Sequence, residues 1–212
     1  MIAGLSRKTM VFLIFIISLS LVGFKLFGKH FETFFPLDEG LVLEYDVTRK
    51  KGTEINDKNK LTVSNLPSRM VEKKTATPRK YEIKKANNVK SEFLAFFHND
   101  KDGVLFLATQ TGKDGQPKPF PTPFYYLKNP LKVGTTWGGG EIPKGFVESV
   151  NETVVVPAGT FDNCVKVKLT YPPKMPMNEA VFWFAEKVGI VKSLYKYKNS
   201  MEEVFQLTTI KQ

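Results

Sequence analysis

The chain has 212 residues, 42% of them hydrophobic and 25% charged, a balance that excludes a disordered polypeptide and fits one domain plus an appendage. The formal net charge is +10. Arg7, Lys8, Lys25 and Lys29 supply +4 of it within the first 30 residues and leave +6 for the remainder. That is an ordinary surface charge without the basic clusters and stacking aromatics that grip nucleic acid. A single cysteine, Cys164, excludes an intramolecular disulfide and any cysteine-built metal centre.

The first element is directed at a membrane. Thr9 to Phe24 is an uncharged apolar run, preceded by Arg7 and Lys8 and followed by Lys25 and Lys29. That is the pattern of an export signal, and the run lacks the polar face of a buried core helix. Its length is roughly 24 Å as a helix, and Leu26 and Phe27 extend it if Lys25 snorkels. Ser18-Leu19-Ser20, the only passable cleavage candidate, lies inside the run, and no cysteine follows the run to take a lipid. We expect residues 1–28 to be a retained signal anchor or transmembrane helix with its N-terminus in the cytoplasm. Residues 29–40 are then a tether, and residues 41–212 a single extracytoplasmic β domain, secreted if the signal is cut. His30 to Phe35 reads as tether or as the amphipathic start of that domain.

From Leu41 onward a two-residue repeat dominates. Leu43, Tyr45 and Val47 share one face of a first strand. Leu61–Asn65 and Met70–Thr75 read as short strands split by Leu66-Pro67, and Arg79–Lys85 follows Pro78. Phe93–His98 and Val104–Ala108 flank Asn99-Asp100-Lys101-Asp102-Gly103 and predict a hairpin. Gly112–Pro123 holds four prolines, which exclude a central strand, so an exposed loop is expected there. Tyr125–Leu127 is a short strand, and Gly134–Gly140 a glycine-rich corner around Trp137. Phe146–Val156 is a long strand turned by Pro157-Ala158-Gly159-Thr160. In the next strand Val165, Val167, Leu169 and Tyr171 point inward. After a proline loop, Ala180–Ala185 pairs with Ile190–Lys198, and Glu202–Ile210 closes the chain. The expected fold is all-β: a curled antiparallel sheet of roughly a dozen strands, as half-barrel, barrel or sandwich, behind one N-terminal helix.

Four groups of residues occur in order along this chain. They are Phe35-Pro36-Leu37 with Gly40 and Tyr45; Pro130 to Trp137 (PLKVGTTW); Val156 to Phe161 (VPAGTF) with Cys164; and Trp183-Phe184-Ala185 with Val188 to Lys192 (VGIVK). Together they resemble a broad family of exported bacterial β-rich proteins and lipoproteins of unknown function. The resemblance covers residues 34 to 210. It implies an extracytoplasmic, mostly antiparallel fold and no catalytic residues; the lipid-bearing cysteine of many members is absent here. The landmarks also have local readings. Gly40, Gly134, Gly159 and Gly189 suit turns that need positive φ, and Trp137 and Trp183 are expected to plug the core.

Candidate chemistry is sparse. A metal site would need both histidines, His30 and His98, plus carboxylates, and the chain gives no sign that they meet; His98 ends a strand at a hairpin. Asn99–Gly103 resembles the start of a calcium loop, but the position of the bidentate glutamate is Thr109. Cys164 has no nearby histidine to activate it. No Gly-x-Ser-x-Gly elbow occurs, and Glu39, Glu141, Glu179 and Glu186 form no pair by spacing alone. We expect no catalytic residue, no metal and no cofactor. The remaining feature is the aromatic density of Phe120, Phe124, Tyr125, Tyr126 and Trp137, a candidate ligand or partner surface. The leading expectation is a non-enzymatic cell-envelope domain. It is anchored in the inner membrane by its N-terminal helix and binds another envelope protein or lipid. A lipid or apolar-ligand carrier with a half-barrel cavity is the first alternative, an envelope hydrolase with dispersed carboxylates the second.

Overall fold

Alternating side chains turn nearly all of the chain after Leu41 into strand. The computed structural model describes residues 30–85, 87, 89–112 and 115–211. The N-terminal apolar run, and the helix expected there, lie outside the described residues; among the described residues no helix is long and apolar enough to cross a membrane. One short helix, α1 (Phe31–Phe34), precedes thirteen strands. These are β1 (Val42–Lys51), β2 (Glu54–Asn65), β3 (Arg69–Val71), β4 (Lys74–Lys84), β5 (Lys90–Asn99), β6 (Gly103–Thr111) and β7 (Lys118–Lys128). They continue as β8 (Thr136–Gly139), β9 (Ile142–Val156), β10 (Gly159–Thr170), β11 (Met177–Ala185), β12 (Gly189–Tyr197) and β13 (Met201–Lys211).

Twelve strands follow one antiparallel path, β7-β6-β5-β4-β2-β1-β13-β12-β11-β10-β9-β8, and β3 pairs only with β4. The sheet curls until its first strand packs against its last two, β8 and β9. The architecture is therefore the all-β curled sheet expected, as a nearly closed barrel. The seam is held by a side chain: the Trp137 indole of β8 donates to the Tyr125 carbonyl of β7 at 2.8 Å. Gly145 of β9 makes room for that indole, because a Cβ there would stand 2.0 Å from the ring.

The two-residue repeat sorts side chains as expected along β10, where Val165, Val167 and Leu169 are fully buried. Each such burial stabilises the fold by about 1.5–3 kcal/mol. Gly40, Gly134, Gly159 and Gly189 all take positive φ. The β5–β6 hairpin forms where expected, with the Asp100 carboxylate accepting the N–H groups of Asp102 and Gly103 at 2.8 and 3.0 Å. Gly103 is there for space rather than for positive φ: a Cβ on it would meet the Leu127 carbonyl oxygen at 2.2 Å.

Three expectations are corrected. The stretch Gly112–Pro123 is not wholly loop, since β7 begins at Lys118. Proline is tolerated because β7 ends the sheet path, and residues 120–123 bulge from the ladder between the Ala108–Pro119 and Phe106–Phe124 pairs. Met70–Thr75 is not one strand. Glu72 and Lys73 turn left-handed between β3 and β4, and β4 runs through Pro78 at the point where its neighbour changes from β3 to β2. Trp183 does not plug the core. It pairs with Lys166 and Lys192 on the outward face, lies 5.3 and 5.1 Å from their amino groups, and donates to Glu152 at 2.8 Å.

Candidate functional site

Inward side chains build two apolar clusters in the barrel. The first gathers Phe31, Phe34 and Phe35 from α1 and the residue after it with Phe97, Leu127, Leu169, Phe182 and Phe184. Residues 31–35 thus close one end of the barrel. The second gathers Leu41, Leu43, Val47, Leu61, Val63, Val191 and Leu207 with Val154, Val156 and Cys164 from the tip of the β9–β10 hairpin. The tip reaches across to β13, where Ala158 N–H donates to the Leu207 carbonyl at 2.9 Å.

Between the clusters lies a cavity of about 260 Å³, near the lower edge of the roughly 300–1,000 Å³ usual for small-molecule sites. Strand register explains its wall. Tyr45, Leu61 and Ile83 oppose one another across β1, β2 and β4. Val63, Tyr81 and Phe93 do so across β2, β4 and β5. Ser193 and Tyr195 of β12 face Phe205 and Glu203 of β13. Tyr126 of β7 reaches the same space from the far wall. Its hydroxyl lies 3.5 Å from that of Tyr195.

The cavity has a charged group at each end. Next to α1, Arg79 is 2% exposed. Its Nε donates to Asn65 Oδ1 at 2.8 Å and an Nη to the Pro36 carbonyl at 2.7 Å. Its guanidinium lies 4.1 Å from the centre of the Phe35 ring. At the other end Glu203 is bound by Arg49 through Nε at 2.7 Å and by the Tyr197 hydroxyl at 2.7 Å. The half-exposed Arg49 side chain marks this end as the one that meets solvent. Burial pushes the Tyr45, Tyr81, Tyr126 and Tyr195 hydroxyls above the ordinary tyrosine range, with the Arg79 charge working against it at Tyr45 and Tyr81. Burial and then the hydrogen bond to Glu203 raise Tyr197 as well. Between the two charged ends the wall therefore presents rings, aliphatic groups and hydroxyls that stay neutral at neutral pH.

The five aromatic residues singled out in the sequence do not gather at this cavity. Tyr126 lines it. Phe124 and Trp137 are buried in the first cluster. Phe120 packs on Phe106 and Phe124 at centroid distances of 4.8 and 5.7 Å. Tyr125 donates to Asp100 at 2.8 Å; burial and that bond push its hydroxyl up to about 12. Sequence reading missed Tyr45, Arg79, Tyr81, Tyr195, Tyr197 and Glu203 as a set. Parity was the available signal, because Arg79 shares a face with Tyr81 and Ile83, and Glu203 with Phe205 and Leu207.

The other candidates are occupied locally. His98 Nδ1 lies 2.8 Å from the Thr75 carbonyl. Cys164 is fully buried, with its thiol 3.3 Å from the Phe161 carbonyl. Glu141 pairs with Lys174, and Glu179 with Lys196. Among the described residues no group of three His, Cys, Asp or Glu side chains is placed to hold a metal ion.

Comparison with known proteins finds one family model and several solved structures that are similar to this chain. A DUF3108-like family model matches residues 147–204, which include the Val156–Cys164 and Trp183–Lys192 landmarks. An inferred exported protein with a YmcC-like fold from Bacteroides fragilis is 17% identical, with 85% of this chain and 99% of that one covered and a TM-score of 0.45. An inferred lipoprotein from Parabacteroides distasonis is 18% identical, with 84% and 98% covered and a TM-score of 0.46. A LolA superfamily protein from Nitrosomonas europaea is 9% identical, with 85% and 88% covered and a TM-score of 0.38. No curated protein matches the chain. The chain is thus similar to exported β-rich proteins and lipoproteins of unknown function, the resemblance its ordered landmarks imply, and over residues 147–204 to the DUF3108-like family.

Proposed function

We propose that the chain is a non-enzymatic extracytoplasmic binding domain that holds an apolar ligand inside its barrel. The N-terminal apolar run anchors it in the inner membrane as a single pass with the β domain outside. The observation that carries the reading is the cavity of about 260 Å³ between two filled clusters. Protein interiors close-pack, and unfilled apolar space is destabilising in proportion to its volume. Most of the exposed wall is apolar, with Leu61, Val63, Ile83, Phe93 and Phe205 giving water no hydrogen bonds, while Tyr45, Arg79, Tyr197 and Glu203 are already partnered within the protein. An apolar ligand covers those groups and leaves the tyrosine hydroxyls with their existing partners. This favours the carrier over an envelope scaffold, for which a filled core suffices, and over a hydrolase, which needs converging titratable groups.

The test is native mass spectrometry of the full chain after gentle extraction, with uptake of a polarity-sensitive naphthylamine dye as a second readout. Co-purifying apolar species, or dye fluorescence that Val63→Phe abolishes while the fold is kept, are the expected results. Spectra free of adducts together with no dye uptake overturn the reading.

A further inference from the structure

Arg79 is a full charge placed inward by strand parity, buried and set in the cavity wall. Its partners are neutral: the Asn65 amide oxygen, the Pro36 carbonyl, the Tyr81 hydroxyl and the faces of Phe35 and Phe97. Among the described residues no carboxylate lies within 4.0 Å of it. The carboxylate in the cavity lining, Glu203, is already paired with Arg49 at the opposite end. Burying a cation without a counter-ion is costly, and carbonyl dipoles and ring faces offset only part of that cost. Tying Pro36 and Asn65 to β4 requires donors but no charge; a neutral amide supplies donors without the desolvation. The charge therefore has a use beyond the plug.

Resting on the reading of the cavity as a ligand site, we propose that the ligand is a single-tailed amphiphile with an oxyanion head, carboxylate or phosphate. Its head is held at Arg79 and its tail runs along Leu61, Val63, Ile83 and Phe93 towards the Glu203 end. The guanidinium N–H groups not given to Asn65 and Pro36 are charged donors that suit either head. The volume of the cavity equals about nine liquid waters, so the tail is short.

The experiment is calorimetric titration of the full chain in lipid nanodiscs, with empty nanodiscs subtracted, using octanoate, octyl phosphate, octan-1-ol and octylammonium. At least tenfold tighter binding of one or both anions than of octanol and octylammonium is expected, and the ratio of the two anions identifies the head. Equal affinity for anion and alcohol overturns the assignment of Arg79 and leaves the carrier reading intact. Binding of none of the four overturns both. Arg79→Gln should erase the preference for anions while octanol binding persists, and Arg79→Lys should retain part of it. Should the glutamine variant fail to fold, the ligand series on the unaltered chain decides the matter alone.

Discussion

The two halves of the barrel interior obey the same inward-facing repeat and reach opposite results. Around α1 and β11 the inward positions are Phe34, Phe35, Phe97, Phe182 and Phe184, each 1% exposed or less. Their rings meet edge to face or tilted, with Phe35 to Phe97 at 5.0 Å and Phe182 to Phe184 at 5.9 Å. Around β1, β4 and β12 the inward positions are Tyr45, Tyr81, Tyr195 and Tyr197, and space remains between them. A phenyl ring can be enclosed on every side. A phenol must keep a partner for its hydroxyl, as Tyr45 does with the Ile190 carbonyl at 2.7 Å, and that fixes where the ring can lean. One added oxygen per ring separates a packed core from a lined cavity.

Alkali should break the hollow half and with it the whole fold. All seven tyrosines have hydroxyls raised by burial. A raised group holds its full stabilising contribution below the unfolded value near 10 and loses it as pH climbs towards the folded value. Tyrosinate absorbance should therefore stay low past pH ~10 and then appear in one cooperative step with loss of the circular dichroism of the sheet. Gradual ionisation without unfolding would show that the wall is open to solvent. In the filled half, Phe182→Ala should cost about 3–5 kcal/mol in urea unfolding.

A matched pair sharpens the contrast. Val165→Ile adds a methylene where no space exists and should cost about 1–3 kcal/mol. Val63→Ile adds the same group to the cavity wall and should be neutral or slightly stabilising, so equal costs in urea melts would deny the difference between the halves. The smallest effect belongs to the β5–β6 turn. There burial raises the Asp100 carboxyl, but the Tyr125 hydroxyl and the N–H groups of Asp102 and Gly103 outweigh it and hold it below its ordinary value. A lowered carboxyl stabilises above the ordinary carboxylate range and loses that contribution as pH falls through its folded value. Asp100→Ala should therefore cost about 1–2 kcal/mol at neutral pH and less in acid.

Much of the fold was legible because direction is local. The alternation through Val165, Val167 and Leu169, the turn at Pro157–Gly159 and the Asp-Gly hairpin each depend on a few neighbouring residues. Trp183 was misplaced although its own strand held the answer, since Phe182 and Phe184 claim the inward parity on either side. The proline stretch before Phe124 was read too strictly, because proline bars a central strand and β7 is a marginal one. The cavity was not legible. Its wall draws on seven strands, and an empty volume depends on distances between opposite walls that no alternation encodes. Arg79 and Glu203 were half legible: parity turned both inward, but only their separation showed that each faces the cavity without the other.

The seam between β7 and β8 has a consequence for the protein in a crowd. A wide sheet presents two margins of unpaired backbone, which is a template for adding foreign strands and growing fibres. Here Pro119, Pro121 and Pro123 leave three positions of β7 without a backbone donor, the Trp137 indole occupies a carbonyl of the same strand, and the other margin, β8, is only four residues long. Both borders therefore offer little backbone for strand-by-strand addition, although no continuous ladder of backbone bonds runs around the girth.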